Sequence, residues 1–113
     1  MAGAEESAAR IARVILETPL PQLDRLLDYR IPPDLGDVAP GMRVTVPLRS
    51  ANRMTQGFVV EIADQQEHPG PLSDLETLVS EARVLRPEVW RLARAVADRA
   101  AGSAIDVLSL IHI

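Results

Sequence analysis

The chain has 113 residues, 12 Lys+Arg against 16 Asp+Glu, a net charge of −4, 3% aromatics and no Cys. This length predicts one small domain with a modest core, too short for a barrel enzyme or a complete dinucleotide-binding domain. The absence of Cys excludes disulfides, thiol nucleophiles and thiolate metal sites, and the acidic balance argues against general coating of nucleic acid while leaving room for one local site.

All 12 basic residues are Arg. GC-rich coding is the ordinary explanation of that bias; the functional alternative is a set of cations able to fork onto phosphate or carboxylate. Without Lys there is neither P-loop nor Schiff-base chemistry. The first residues, with Glu5, Glu6, Arg10 and Arg13 among alanines, do not form a signal peptide. No window approaches roughly eighteen uncharged apolar residues, so no membrane span is expected and the expected compartment is the cytoplasm.

In chain order, residues 1–10 read as a flexible leader. From Ile11 a strand is predicted, with Ala12, Val14 and Leu16 on one face, ending at Pro19. Pro19 and Pro21 interrupt regular structure. Leu23–Leu27 suits one helical turn, Asp28–Ile31 is extended, and Asp34–Pro40 is a turn-rich connection. Gly41–Leu48 is the clearest strand, with Met42, Val44, Val46 and Leu48 alternating against Arg43, Thr45 and Pro47. Pro47 puts that stretch near a strand end or an edge. After a polar loop, Gln56–Ile62 forms the second arm of an antiparallel hairpin, with Phe58, Val60 and Ile62 on one face. The Pro/Gly-containing stretch 63–71 is a loop, and Leu75–Ser80 is a last strand with Leu75, Thr77 and Val79 together. Pro87 opens an amphipathic helix whose buried stripe is Val89, Leu92, Ala93, Val96, Ala97 and Ala100, with Gly102 as its stop. A short apolar segment, Ile105–Ile113, ends the chain. The order predicts an α+β domain: a small antiparallel sheet or partly closed barrel followed by a C-terminal amphipathic helix.

Charge is segregated. Between Val38 and Val60 lie Arg43, Arg49 and Arg53 with no acid, whereas Met54–Ala82 carries six acids and no base. Ordinary solvated charge accounts for this, as does a hairpin that guides a polyanion. Catalytic constellations are missing: His68 lies in a Pro/Gly loop and His112 at the chain end, and no carboxylate pair is marked by spacing. Leu27-Asp28-Tyr29 stands out. A carboxylate there can accept hydrogen bonds from a base or a terminal hydroxyl, and a Tyr ring offers a stacking face; a turn-capping Asp and a core Tyr are the structural alternative.

These pieces together resemble the N-terminal DNA-binding domain of the PriA family of primosomal replication-restart helicases. The resemblance is carried by Ala12-Arg13-Val14, Pro19-Leu20-Pro21, Leu23 to Tyr29, Pro32, Pro40 to Val44, Val46-Pro47-Leu48, Gly57 to Val60, Leu85 to Asp98 and Asp106-Val107-Leu108. It covers residues 11–108, and its lysine-free style with Leu27 looks like actinobacterial members. It implies a non-enzymatic module that recognises the 3′-hydroxyl end of the nascent leading strand at stalled forks. Leu27, Asp28, Tyr29 and Arg49 would border the terminal nucleotide, and Arg43 and Arg53 would contact phosphates. The implied partners are a single-stranded 3′ end or forked DNA and a helicase core in the same chain, in a cytoplasmic, nucleoid-associated setting. ATP, magnesium and zinc belong to the family's other domains, so no cofactor is expected here. Three positions depart from the family pattern: Leu27 replaces a Phe, Arg49 a Gly, and Ser73 a basic residue. Residues 109–113 match nothing in the family and read as a truncated or non-native tail. The competing reading is a docking domain, with Trp90 and Leu110–Ile113 as its contacts.

Overall fold

The computed structural model describes residues 10–18, 23–48, 53–65, 72–80, 84–100 and 102–111. The strands are β1 (Ile11–Leu16), β2 (Leu27–Arg30), β3 (Arg43–Leu48), β4 (Arg53–Ala63), β5 (Ser73–Asp74) and β6 (Thr77–Ser80). A single 3₁₀ turn at Pro33–Leu35 precedes β3, and helices α1 (Pro87–Ala100) and α2 (Ala104–Ile111) follow the sheet. The spatial order is β5-β2-β1-β4-β3-β6. All neighbours are antiparallel except β2 and β5.

β5 and β6 are consecutive in the chain yet lie on opposite edges of the sheet. Leu75 and Glu76 span the gap. The Leu75 N–H donates to the Arg30 carbonyl at 3.0 Å, and the Glu76 N–H donates to the Thr45 carbonyl at 2.8 Å. One short segment therefore ties both edges and curls the sheet into a mixed half-barrel, as the α+β reading expects. Leu75 fills the interior, a burial that stabilises by about 2 kcal/mol.

The two faces carry separate cores. Inside the curl lie Ala12, Val14, Leu16, Tyr29, Val44, Val46, Leu48, Val59 and Leu75. On the outer face Ile15 and Phe58 pack under Leu85, Ala93, Ile105 and Leu108 from the helical layer. The alternation in β3 behaves as its sequence predicts: Val44, Val46 and Leu48 are buried, and Arg43, Thr45 and Pro47 are partly exposed. Pro47 lies past the end of the β6 ladder, which stops at Thr45, so its missing N–H breaks no pairing there.

Four predicted details differ. In β4, Phe58, Val60 and Ile62 do not share a face. Arg13 pairs with Glu61 but Val14 with Val59, so Val60 is an extra residue, and this bulge swings Ile62 to the inner core. In the last strand a bend at Leu75–Glu76 changes the phase. Leu78, rather than Val79, then packs inward. On α1 the buried residues are Ala93 and Ala97, flanked by Val89 and Trp90, while Leu92 is 54% and Val96 41% exposed. Residues 24–26 are irregular rather than helical, because Asp24 is tied to the helical layer as described below.

Two glycines are required by geometry. A Cβ on Gly57 would lie 2.6 Å from the Ile15 carbonyl oxygen and 2.7 Å from Val14 Cγ1, so β1 and β4 approach more closely there than any side chain permits. Gly41 has φ of 98° and accepts the Val84 and Leu85 N–H groups at 2.8 and 3.0 Å, joining the start of β3 to the lead-in of α1. Pro87 occupies the first helical position of α1, and the Trp90 N–H bonds the Arg86 carbonyl at 3.0 Å. The Gly102 N–H closes α1 on the Ala97 carbonyl at 3.0 Å. Ser103 Oγ accepts the Asp106 N–H at 3.2 Å and caps α2. That helix runs unbroken from Ala104 across Leu108 to Ile111.

Candidate nucleic-acid interface

β2 holds the Leu27-Asp28-Tyr29 triplet, and strand alternation divides it. Tyr29 is only 5% exposed and belongs to the inner core, against which Leu27 also packs. The Tyr29 hydroxyl donates to the Pro47 carbonyl at 3.3 Å, and burial pushes its phenol up, which keeps it a neutral donor. Tyr29 pairs with Ser73 in the parallel β2–β5 ladder. The inner rim thus joins Leu27, Tyr29, Ser73 and the Pro47–Leu48 end of β3, the strand end from which the hairpin loop departs.

Asp28 lies on the opposite face. It sits in register with Arg13, whose Nε is 3.4 Å from its Oδ1, and its side chain is 8% exposed. Arg13 Nη1 also donates to Glu61 Oε2 at 3.2 Å and Nη2 to the Gln65 carbonyl at 3.0 Å. Asp28 and Tyr29 therefore do not face each other. β5 reaches only Tyr29 and Arg30, so the two faces meet at the sheet edge where β2 begins.

The hairpin arginines separate. Arg43 donates from Nε and Nη2 to Glu17 at 2.7 Å each, and its guanidinium lies 5.7 Å from the Phe58 ring centroid. It is committed to this intramolecular pair, so a phosphate would have to compete with Glu17 for it. Arg53 opens β4 opposite Leu48, is exposed, and makes no salt bridge among the described residues. Arg49 lies outside the described residues, as do Pro19–Pro21, His68, His112 and leader residues 1–9. Arg10, the last leader position, donates to the Val38 carbonyl at 3.1 Å. Trp90 is partly buried and packs on the Ile15 and Phe58 cluster, and the side chains of residues 110–113 lie outside the described residues.

Two groupings were not anticipated from the sequence. One is the Asp28, Arg13 and Glu61 row across three strands; a lone cation between Ala12 and Val14 in an apolar strand was its signal. The other is Asp24. Its Oδ2 and Oδ1 accept Arg94 Nη2 and Nη1 at 2.9 and 3.1 Å, and Oδ1 also accepts the Ala104 N–H at 2.9 Å. Burial would push the Asp24 carboxyl up; the Arg94 and Ala104 hydrogen bonds and the Arg94 charge outweigh it and hold it below the usual carboxylate range. Asp24 thereby anchors the approach to β2 on both helices. Among the described residues no group of His, Asp and Glu could hold a metal ion, and no helix is long and apolar enough to cross a membrane.

These features define a class: a small α+β domain whose curled sheet is tied across by the Leu75–Glu76 segment and backed by two helices, with a rim where β2, β5 and the end of β3 meet. The chain belongs to the 3′DNA-binding domain (3′BD) family of PriA, whose sequence profile matches residues 13–112. It is 45% identical over 92 residues, 80% of this chain and 14% of the relative, to the probable replication restart protein PriA of Mycobacterium tuberculosis strain H37Rv. The probable replication restart protein PriA of Mycobacterium leprae strain TN gives the same identity and coverage. The replication restart protein PriA of Bacillus subtilis strain 168 is 32% identical over 99 residues, 86% of this chain and 12% of that protein. The chain thus spans about one seventh of the mycobacterial relatives it matches.

Proposed function

We propose that this chain is the DNA-end-binding module of a replication-restart helicase and that it receives the 3′-hydroxyl end of a nascent strand at a stalled fork. The observation that carries this reading is the match to a 3′DNA-binding domain over residues 13–112, which includes the Leu27-Asp28-Tyr29 triplet on β2. The activities of a longer protein, ATP-driven unwinding among them, would reside in other domains and use their cofactors.

In this reading the terminal nucleotide lies across the β2 edge. Leu27 and Tyr29 support it from the inner face, and the Asp28 carboxylate accepts the terminal hydroxyl from the outer side. The bond from the Tyr29 hydroxyl to the Pro47 carbonyl fixes the rim beside the hairpin, so the wall is ordered before DNA arrives. Arg53, and Arg49 before it in the chain, meet the phosphates that trail from the end. Arg43 contributes only if it exchanges Glu17 for a phosphate. A carboxylate acceptor favours a hydroxyl end and repels a phosphorylated one, which is the physical basis of end selection.

The test is fluorescence anisotropy with one single strand bearing either a 3′-hydroxyl or a 3′-phosphate. Wild type is expected to bind the hydroxyl end about ten-fold tighter, the value of one charge-assisted hydrogen bond, and Asp28→Ala to bind both ends alike. Equal binding of the two ends by wild type contradicts the reading.

A further inference from the structure

β1 is flanked by β2 and β4, and Arg13 stands on its outer face in register with Asp28 on one side and Glu61 on the other. The guanidinium is shared between them, at 3.4 Å from Asp28 and 3.2 Å from Glu61. Its side chain is 13% exposed, against 53% for Glu61. A surface ion pair could be built with far less burial and contributes little. Here the cation is sunk between two carboxylates, one of which is the proposed end acceptor.

We infer that Arg13 is a positioning residue that sets how sharply Asp28 distinguishes a hydroxyl end from a phosphate end, with Glu61 as its counterweight. The inference rests on the end-recognition reading. A neutral hydroxyl responds far less than an anion to the charge behind the Asp28 carboxylate. An anionic end feels the net charge of the row, in which Arg13 offsets Asp28 and Glu61 offsets Arg13. Removal of Arg13 makes the row more negative by one charge and strengthens rejection of phosphate. Removal of the Glu61 charge makes the row less negative by one charge and weakens it. Opposite effects from Arg13 and from the carboxylate on its far side are not what a purely structural ion pair produces.

The readout is the ratio of affinities for 3′-hydroxyl and 3′-phosphate strands, measured by anisotropy on the whole chain. Arg13→Gln is expected to raise the hydroxyl preference roughly three-fold and Glu61→Gln to lower it roughly three-fold, the scale of one unit charge a few ångströms away in solvent. Arg13→Lys is expected to restore the wild-type ratio. Glu61→Gln touches an exposed side chain, so it keeps the test open if Arg13→Gln fails to fold. Ratios unchanged in both variants, or shifted in the same direction, overturn the inference even where Asp28→Ala abolishes selection. If Asp28→Ala leaves selection intact, this inference and the reading beneath it both fall.

Discussion

Single residues here are constrained by which side of a strand they occupy. Leu27-Asp28-Tyr29 is one motif in the sequence and two surfaces in the fold, because consecutive strand residues point oppositely. Tyr29 therefore reaches Pro47 inside the curl, and Asp28 meets Arg13 outside it. Arg43 shows the same logic. Its strand position left its surroundings open, and the structure gives it to Glu17 across 26 residues. Gly57 is constrained by distance. An added methyl would meet the β1 backbone at 2.6 Å, where the neighbouring atom is a carbonyl that cannot rotate away. Gly57→Ala is expected to destabilise the fold by about 2–4 kcal/mol, read as a lower urea midpoint with an unchanged slope. A change within about 0.5 kcal/mol, the range of ordinary surface substitutions, would contradict the close approach.

At the level of elements, legibility followed sequence distance. β3 and β4 were readable because period-two alternation is local, and α1 because Pro87 and the apolar spacing announce it. The bulge at Val60 was not readable, since only the pairing of Arg13 and Val14 with Glu61 and Val59 reveals the extra residue. Helix α2 was missed because its eight residues depend on outside support, namely the Ser103 cap and the Asp24 carboxylate 80 positions away. The stripe on α1 was placed too far round, toward Leu92 and Val96, because α2 and the Asp24 segment choose the face that is covered. Of the interface, the β2 triplet and the hairpin arginines were legible as residue types. The row formed by Asp28, Arg13 and Glu61 was not, since it exists only in the register of three strands.

Asp24 allows a test at this scale. A carboxylate whose pKa falls on folding contributes stability that is complete above its unfolded value, 3.8, and lost as pH falls through the lower folded value. Asp24→Asn is expected to lower stability by about 1–2 kcal/mol at neutral pH, and the gap from wild type is expected to close as the pH drops below the ordinary carboxylate range. Thermal melts from neutral to strongly acidic pH measure this. A gap that stays constant with pH would show that the Asp24 charge does not clamp the helices.

The whole molecule carries a net charge of −4, and part of its positive charge is neutralised within the fold. Arg94, Arg30 and Arg43 are each matched to a carboxylate within the fold, Asp24, Asp74 and Glu17. Arg53 remains exposed beside the rim that Tyr29, Ser73 and Pro47 define. In the proposed reading Arg53 serves one strand end; a duplex track would need a broad basic surface, which the acidic balance does not supply. The sheet curls so that β5 and the Pro47–Leu48 end of β3 meet beside Tyr29 on that rim, while the helices pack on the opposite face.

The most direct test of end binding at this place is a backbone amide NMR titration of the whole chain with a short single strand ending in a 3′-hydroxyl. A covalently closed circular strand of the same length serves as the reference. Binding at the β2 edge is expected to shift the amides of Leu27–Arg30, Ser73 and Arg53 with the linear strand and to leave them nearly unmoved with the circle. Equal shifts with both strands, or shifts confined to α1 around Leu92 and Val96, would contradict it.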